Sequence, residues 1–148
     1  MRLFILFFLL SMTAQTPVPC CSDKQLRLLA QNADFVVIAE IVETKPTPGF
    51  WSGQFAAIQI VRYDIKESIK GGLSSGVIDA GHYLVHGSCS ADRSKPQLSP
   101  ELFRKGNRLV LFLSHEEKGG YLVRDENCGA IASSAETVAK IRGLISVS

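Results

Sequence analysis

The chain has 148 residues, 16 of them basic and 14 acidic, and the basic ones are scattered among acids rather than gathered into a patch. This near-balance gives no electrostatic footprint for nucleic acid, and the length suits one domain with room for a core. The four cysteines include neither a Cys-x-x-Cys pair nor a Cys/His zinc spacing, which removes the common redox and zinc-ribbon patterns.

The first stretch is a leader. Arg2 precedes the apolar run Leu3-Phe4-Ile5-Leu6-Phe7-Phe8-Leu9-Leu10, and Ser11, Thr13 and Ala14 give a small-residue exit. This is the form of a secretory signal peptide over residues 1–19, too short to span a bilayer. Cleavage after Ala14 and cleavage after Pro19 both remain open. Pro17-Val18-Pro19 lacks the small residue that lipidation requires before Cys20. The expectation is an exported protein, secreted or periplasmic, without stable membrane insertion, whose single domain covers residues 20–148. Export and an even cysteine count together favour disulfides.

Asp23 is positioned to cap a short helix, with Leu26, Leu29 and Ala30 on one side and Asn32-Ala33-Asp34 at its end. Phe35 to Thr44 is β-branched and long, and reads as a first strand. Pro46, Pro48, Gly49 and Gly53 make the next segment a loop, whose Phe50 and Trp51 are expected to fold back over the barrel end. A second long strand runs from Gln54 to Lys66 and continues to Gly71-Gly72. A third covers Ser75 to Val85, with Gly81 as a candidate bulge. Pro96 and Pro100 oppose regular structure in the segment after Cys89, and Glu101 to Asn107 reads as a helical turn. Arg108 to Ser114 is a compact apolar strand, His115 to Gly120 a charged hairpin loop, and Tyr121 to Arg124 its return strand. Ser134 caps a last helix from Ala135 to Ile145, with Glu136 placed to pair with Lys140 and with Val138, Ile141, Leu144 and Ile145 as its apolar stripe. The sum is a mainly β chain: five strands in meander order forming an OB-fold-like barrel, a short N-terminal helix and a C-terminal helix. The alternative architecture is an open antiparallel sandwich.

Cys20 and Cys21 stand together at the start of the domain, with Cys89 in mid-chain and Cys128 near the end. Four cysteines allow three pairings, and a bond between neighbours strains the backbone. Two long-range bonds would close loops of roughly 70 and 110 residues, each stabilising by about 4 kcal/mol in the chain-entropy model. The choice between the long-range pairings stays open at this point.

The polar residues give little catalytic chemistry. His82 and His86, four apart on one strand, stand about 13 Å from each other and cannot share one metal ion without a break between them. His115-Glu116-Glu117 sits in a solvated charged turn. No Gly-x-Ser-x-Gly elbow, spare thiol, carboxylate dyad or phosphate-binding glycine loop is present. Phe35, Phe55 and Tyr63 are the aromatics an OB-fold would offer a ligand, but a barrel this small needs them inside. The expectation is a binding protein rather than an enzyme, with no catalytic residues, no metal site and no cofactor.

The layout resembles the netrin-like superfamily of secreted OB-fold modules, and within it the N-terminal domain of the tissue inhibitors of metalloproteinases. The resemblance is carried by the cysteine cluster at the mature N-terminus and by Ala33-Asp34-Phe35-Val36-Val37-Ile38-Ala39 opening strand one after a short helix. Tyr63-Asp64-Ile65-Lys66, with Ile69-Lys70-Gly71 closing strand two, adds to it, as do Ser88-Cys89-Ser90 and Asn127-Cys128-Gly129 after strands three and five. It implies the bonds Cys20–Cys89 and Cys21–Cys128. It also implies a partner-binding wedge of Cys20, Cys21, Ser22, Gly87, Ser88 and Cys89, and a protein partner, in its sharpest form an extracellular metalloprotease. In that family the α-amine and carbonyl of the first cysteine chelate the partner's catalytic zinc. This chain departs from the pattern in having adjacent cysteines where the inhibitors have Cys-x-Cys, in lacking their disulfide-rich C-terminal part, and in that cleavage after Ala14 would leave five residues ahead of Cys20. The alternative is a structural or adaptor module that binds partners through barrel faces or loops such as Phe50-Trp51.

Overall fold

A computed structural model describes residues 21–45, 57–84, 98–124 and 128–147. The elements in chain order are α1 (Asp23–Asn32), β1 (Phe35–Lys45), β2 (Ala57–Lys70), β3 (Gly76–Leu84), β4 (Arg108–His115), β5 (Tyr121–Val123), β6 (Ala130–Ala132) and α2 (Ala135–Ser146). The sheet order is β1-β2-β3-β5-β4-β6, and an additional β1–β4 pairing closes it into a five-strand barrel of the OB-fold kind.

Strands β1 and β4 are apolar on both faces because each separates two cores. Val37, Ala39 and Ile41 of β1 and Leu109, Leu111 and Leu113 of β4 point into the barrel, where they meet Val61, Tyr63, Ile65, Ala80 and Val123. Val36, Ile38, Val110 and Phe112 face outward and are covered by Leu26, Ala30, Ala33, Cys128 and Ile141. The alternation of side chains along a strand produces this division, and the helices supply the second layer. Register shifts in the β1–β2 ladder at Val36/Val37, Ile38/Ala39 and Ile41/Glu43 bend the long strands around the barrel.

Two features depart from the sequence reading of a meander. Strand β3 pairs in parallel with β5 at Ala80 and Gly81, and not with β4. The segment before β4 causes this. Leu98, Leu102 and Phe103 pack against the barrel core, and Gly106 N–H donates to Ile41 O while Ile41 N–H donates to Asn107 O, which delivers β4 beside β1. The second departure is β6, which continues along β4 after an interruption. Phe112 accepts from Arg124 N–H through its carbonyl and donates its own N–H to Gly129 O, so one residue of β4 bonds to both sides of the break. Cys128, just before β6, lies among the outer-core residues on the helix side. Gly81, a candidate bulge, instead lies in regular register opposite Ile60. A Cβ there would meet Ile58 Cγ2 at 3.2 Å and Leu122 Cδ1 at 3.3 Å, so packing accounts for the glycine.

Ser22, not Asp23, caps α1. Its hydroxyl accepts from Gln25 N–H while the Gln25 side chain accepts from Ser22 N–H, a reciprocal capping box. At the other end of the helix, Lys70 Nζ donates to the carbonyls of Ala30 (2.8 Å), Gln31 (2.9 Å) and Ala33 (2.8 Å). A cation at a helix C-terminus meets both its orphan carbonyls and its dipole. Helix α2 is capped by Ser134 and buries Ile141. Lys140 pairs with Asp23 at 3.0 Å rather than with Glu136, because the two helices lie side by side on the same barrel face.

The Lys70 contacts generate a prediction. Lys70→Met keeps most of the aliphatic stem and removes three charge-assisted bonds, so it lowers unfolding stability by about 1–3 kcal/mol. Urea denaturation measures this; a midpoint unchanged from the parent protein would show that the lysine does not hold α1.

Candidate functional site

Cys21 and Cys128 are bonded, with Cα atoms 5.6 Å apart and 107 residues between them. The separation of the Cα atoms is ordinary for a disulfide. This is one of the two bonds that the resemblance implies. The other, Cys20–Cys89, lies outside the described residues, as do Gly87 and Ser88. Cys128 is fully buried and Cys21 is partly buried against the outer core. The bond therefore fastens the residues just before α1 to the residues just before β6, on the face where Phe112 and Val110 are covered.

Of the six wedge residues, the structure places Cys21 and Ser22. Ser22 Oγ accepts from Gln25 N–H and also lies 3.2 Å from Gln25 Oε1. Its hydroxyl is thus committed to the helix cap and fixes the direction in which the chain approaches Cys21. Phe50, Trp51, Phe55 and His86 lie outside the described residues. The other singled-out aromatics are structural: Tyr63 is fully buried in the barrel, and Phe35 packs against its core with an edge contact to Tyr121 at 5.8 Å. His115 contributes its backbone N–H to Asp34 Oδ2 and its ring to an edge contact with Tyr121.

His82 lies inside the barrel. Its Nε2 is 2.6 Å from Tyr63 Oη, and its ring meets Phe103 edge-on at 5.0 Å. Burial pushes the imidazole down to about 3 and pushes the Tyr63 hydroxyl well above its ordinary range. The pair is neutral at all ordinary pH, a satisfied polar link within an apolar interior.

Sequence reasoning did not anticipate Lys70 or the charged belt on the outer face of β1–β2–β3. There Asp79 takes Arg62 at 3.0 Å and Lys45 at 2.6 Å, which hold its carboxyl below the usual carboxylate range. Glu43 pairs with Arg62, Lys66 with Asp64 and Glu40, and Arg108 with Glu40. Among the described residues these four carboxylates and four cations, with Arg108 contributed by β4, balance each other. The only signal in the sequence was alternation of charge along β1 and β2, which fixes exposure but not partners.

His82, buried and neutral, makes the fold sensitive to acid. An unfolded histidine titrates near 6.5, so between that value and about 3 the unfolded chain binds one more proton than the folded one. Stability is therefore lost as pH falls below about 6.5, at up to about 1.4 kcal/mol per pH unit. Urea unfolding between pH 6.5 and 5.5, above the carboxylate range, should show this slope in the parent and a flatter one in His82→Gln. Equal slopes would place the acid response elsewhere.

No protein-family model matches the chain, and no curated protein matches it.

Proposed function

We propose that the protein is an exported, disulfide-stapled binding module of the netrin-like kind. In its sharpest form it inhibits an extracellular metalloprotease through its N-terminal cysteine segment. The observation that carries this reading is the Cys21–Cys128 bond, which clamps the residue next to Cys20 onto a buried face. The Ser22–Gln25 capping box fixes the chain immediately after it, and Lys70 holds the far end of the same helix. A segment held in this way loses little conformational entropy on docking, and such preorganisation is what a tight inhibitor requires.

In this reading the residue at position 20 and the segment Gly87-Ser88-Cys89 form the contact surface, while Cys21 and Ser22 position it. The free α-amine and carbonyl of Cys20 would meet the partner's catalytic metal. The reading therefore requires Cys20 to be the first residue of the mature chain. Export is supported by the charge-led apolar leader and by the disulfide itself. Among the described residues no helix is long and apolar enough to cross a membrane.

The test is an inhibition assay against a panel of extracellular zinc proteases. The oxidised protein beginning at Cys20 should inhibit at least one. One added residue before Cys20 should weaken inhibition by at least about 100-fold, since it removes the chelating amine (about 2.7 kcal/mol). Full inhibition by the extended protein would overturn the wedge. Binding without inhibition, unaffected by the extension but lost on changing Phe50 and Trp51, would establish the adaptor reading in its place.

A further inference from the structure

A cleft of about 440 Å³ lies between residues 99–107 and the corner where β6 turns into α2. Its size falls within the range of roughly 300–1,000 Å³ typical of ligand clefts. Its walls are fixed by bonds of their own. Ser133 N–H donates to Arg108 O at 3.0 Å and Ser134 N–H to Ala132 O at 3.1 Å. Asn107 Nδ2 donates to the carbonyls of Glu101 (2.8 Å) and Leu102 (3.1 Å), and Gly106 N–H donates to Ile41 O at 2.8 Å. A cleft built this way is in place before a ligand arrives, which lowers the cost of binding.

Three side chains on these walls keep hydrogen-bonding capacity. Arg108 spends Nε on Glu40 at 3.2 Å, and its two terminal nitrogens have no partner among the described residues. Ser133 bonds through its backbone, and its hydroxyl has no partner among the described residues. Glu101 accepts from Ser99 Oγ at 2.9 Å through one oxygen, and a carboxylate can accept about four hydrogens. Its own backbone and Ser99 hold this carboxyl below the usual carboxylate range, so it is an ionised acceptor at neutral pH. Between these groups Leu102 supplies an apolar surface, with the fully buried Leu109 behind it.

The mixture selects by charge and by hydrogen bonding. A cation meets the guanidinium of Arg108, and an anion meets Glu101. A wholly apolar group strips water from all three polar side chains and returns no bond. A hydroxyl both donates and accepts. A neutral molecule with several hydroxyls therefore meets Glu101, Arg108 and Ser133 together, and its C–H surface covers Leu102. We propose that this cleft binds one neutral pyranose unit of a saccharide. Glu101 accepts from one hydroxyl, Arg108 and Ser133 donate to others, and Leu102 takes the C–H face of the ring. The site is separate from the proposed wedge and stands whether or not the protein inhibits a protease.

The test is amide NMR of the full oxidised protein titrated with the methyl pyranosides of glucose, galactose, mannose, N-acetylglucosamine and fucose. Glycine, acetate and choline are the zwitterionic, anionic and cationic controls. At least one pyranoside should shift the amides of Leu102, Arg108 and Ser133 saturably. Arg108→Met should weaken its binding at least about tenfold, and Ser133→Ala at least about threefold, while the thermal midpoints hold. Glu101→Gln should weaken it at least about threefold and serves if the Arg108 variant fails to fold. An array of oligosaccharides ending in the same sugar then separates the sources: retention assigns the ligand to a glycan, and binding of the free sugar alone assigns it to a soluble saccharide. Three results would overturn the proposal: no pyranoside that saturates these shifts, equal affinity for the variants and the parent protein, or a charged control that takes the site in place of the sugars.

Discussion

The structure depends on the outward face of β1 and β4 being covered. Four of its residues, Val36, Ile38, Val110 and Phe112, are as apolar as those inside the barrel and would otherwise meet water. Two short helices supply the cover, and neither is long enough to be stable alone. Helix α1 is therefore fixed at both ends, by the Cys21–Cys128 bond with the Ser22 cap at one and by Lys70 at the other. Closing a loop of this size stabilises by about 4–5 kcal/mol in the chain-entropy model. That is a large share of the roughly 5–15 kcal/mol that keeps a domain folded.

The barrel's architecture was largely legible in the sequence. Strands rich in Val, Ile and Leu, glycines at strand ends and the Ser134 cap locate β1 to β5 and both helices within a few residues, while the cap of α1 was misplaced by one residue and β6 was missed. What escaped was pairing between distant segments. Nothing local to Arg108–Ser114 says that it lies beside β1 rather than β3; that follows from Leu102 and Phe103 entering the barrel end and from Ile41 bonding across to Gly106 and Asn107. The break between β5 and β6 was equally hidden, because the hydrogen bonds that define it belong to Phe112. Short-range rules also gave way where tertiary contact was available. Lys140 has Glu136 at favourable helical spacing but reaches Asp23 across the helix pair.

The candidate site was legible only in part. The cysteine positions drew attention to the start of the domain, and the Cys21–Cys128 bond places that start on the helix layer. His82 attracted notice as a ligand residue and lies instead in the core, its polarity met by Tyr63. Strand β6 was not anticipated, because Ala130-Ile131-Ala132 is too short to stand out as a strand in the sequence.

The account turns on how the N-terminal segment is anchored. Mass spectrometry of peptides from the exported, unreduced protein tests this directly, because it reads the mature N-terminus and the cysteine linkages together. The account predicts a chain beginning at Cys20 whose N-terminal peptide is linked to both the Cys89 and the Cys128 peptides, and whose fragmentation between Cys20 and Cys21 leaves Cys20 with Cys89 and Cys21 with Cys128. A chain beginning at Gln15 would contradict the chelating wedge, and a bond from Cys21 to Cys89 would contradict the anchoring of α1 itself.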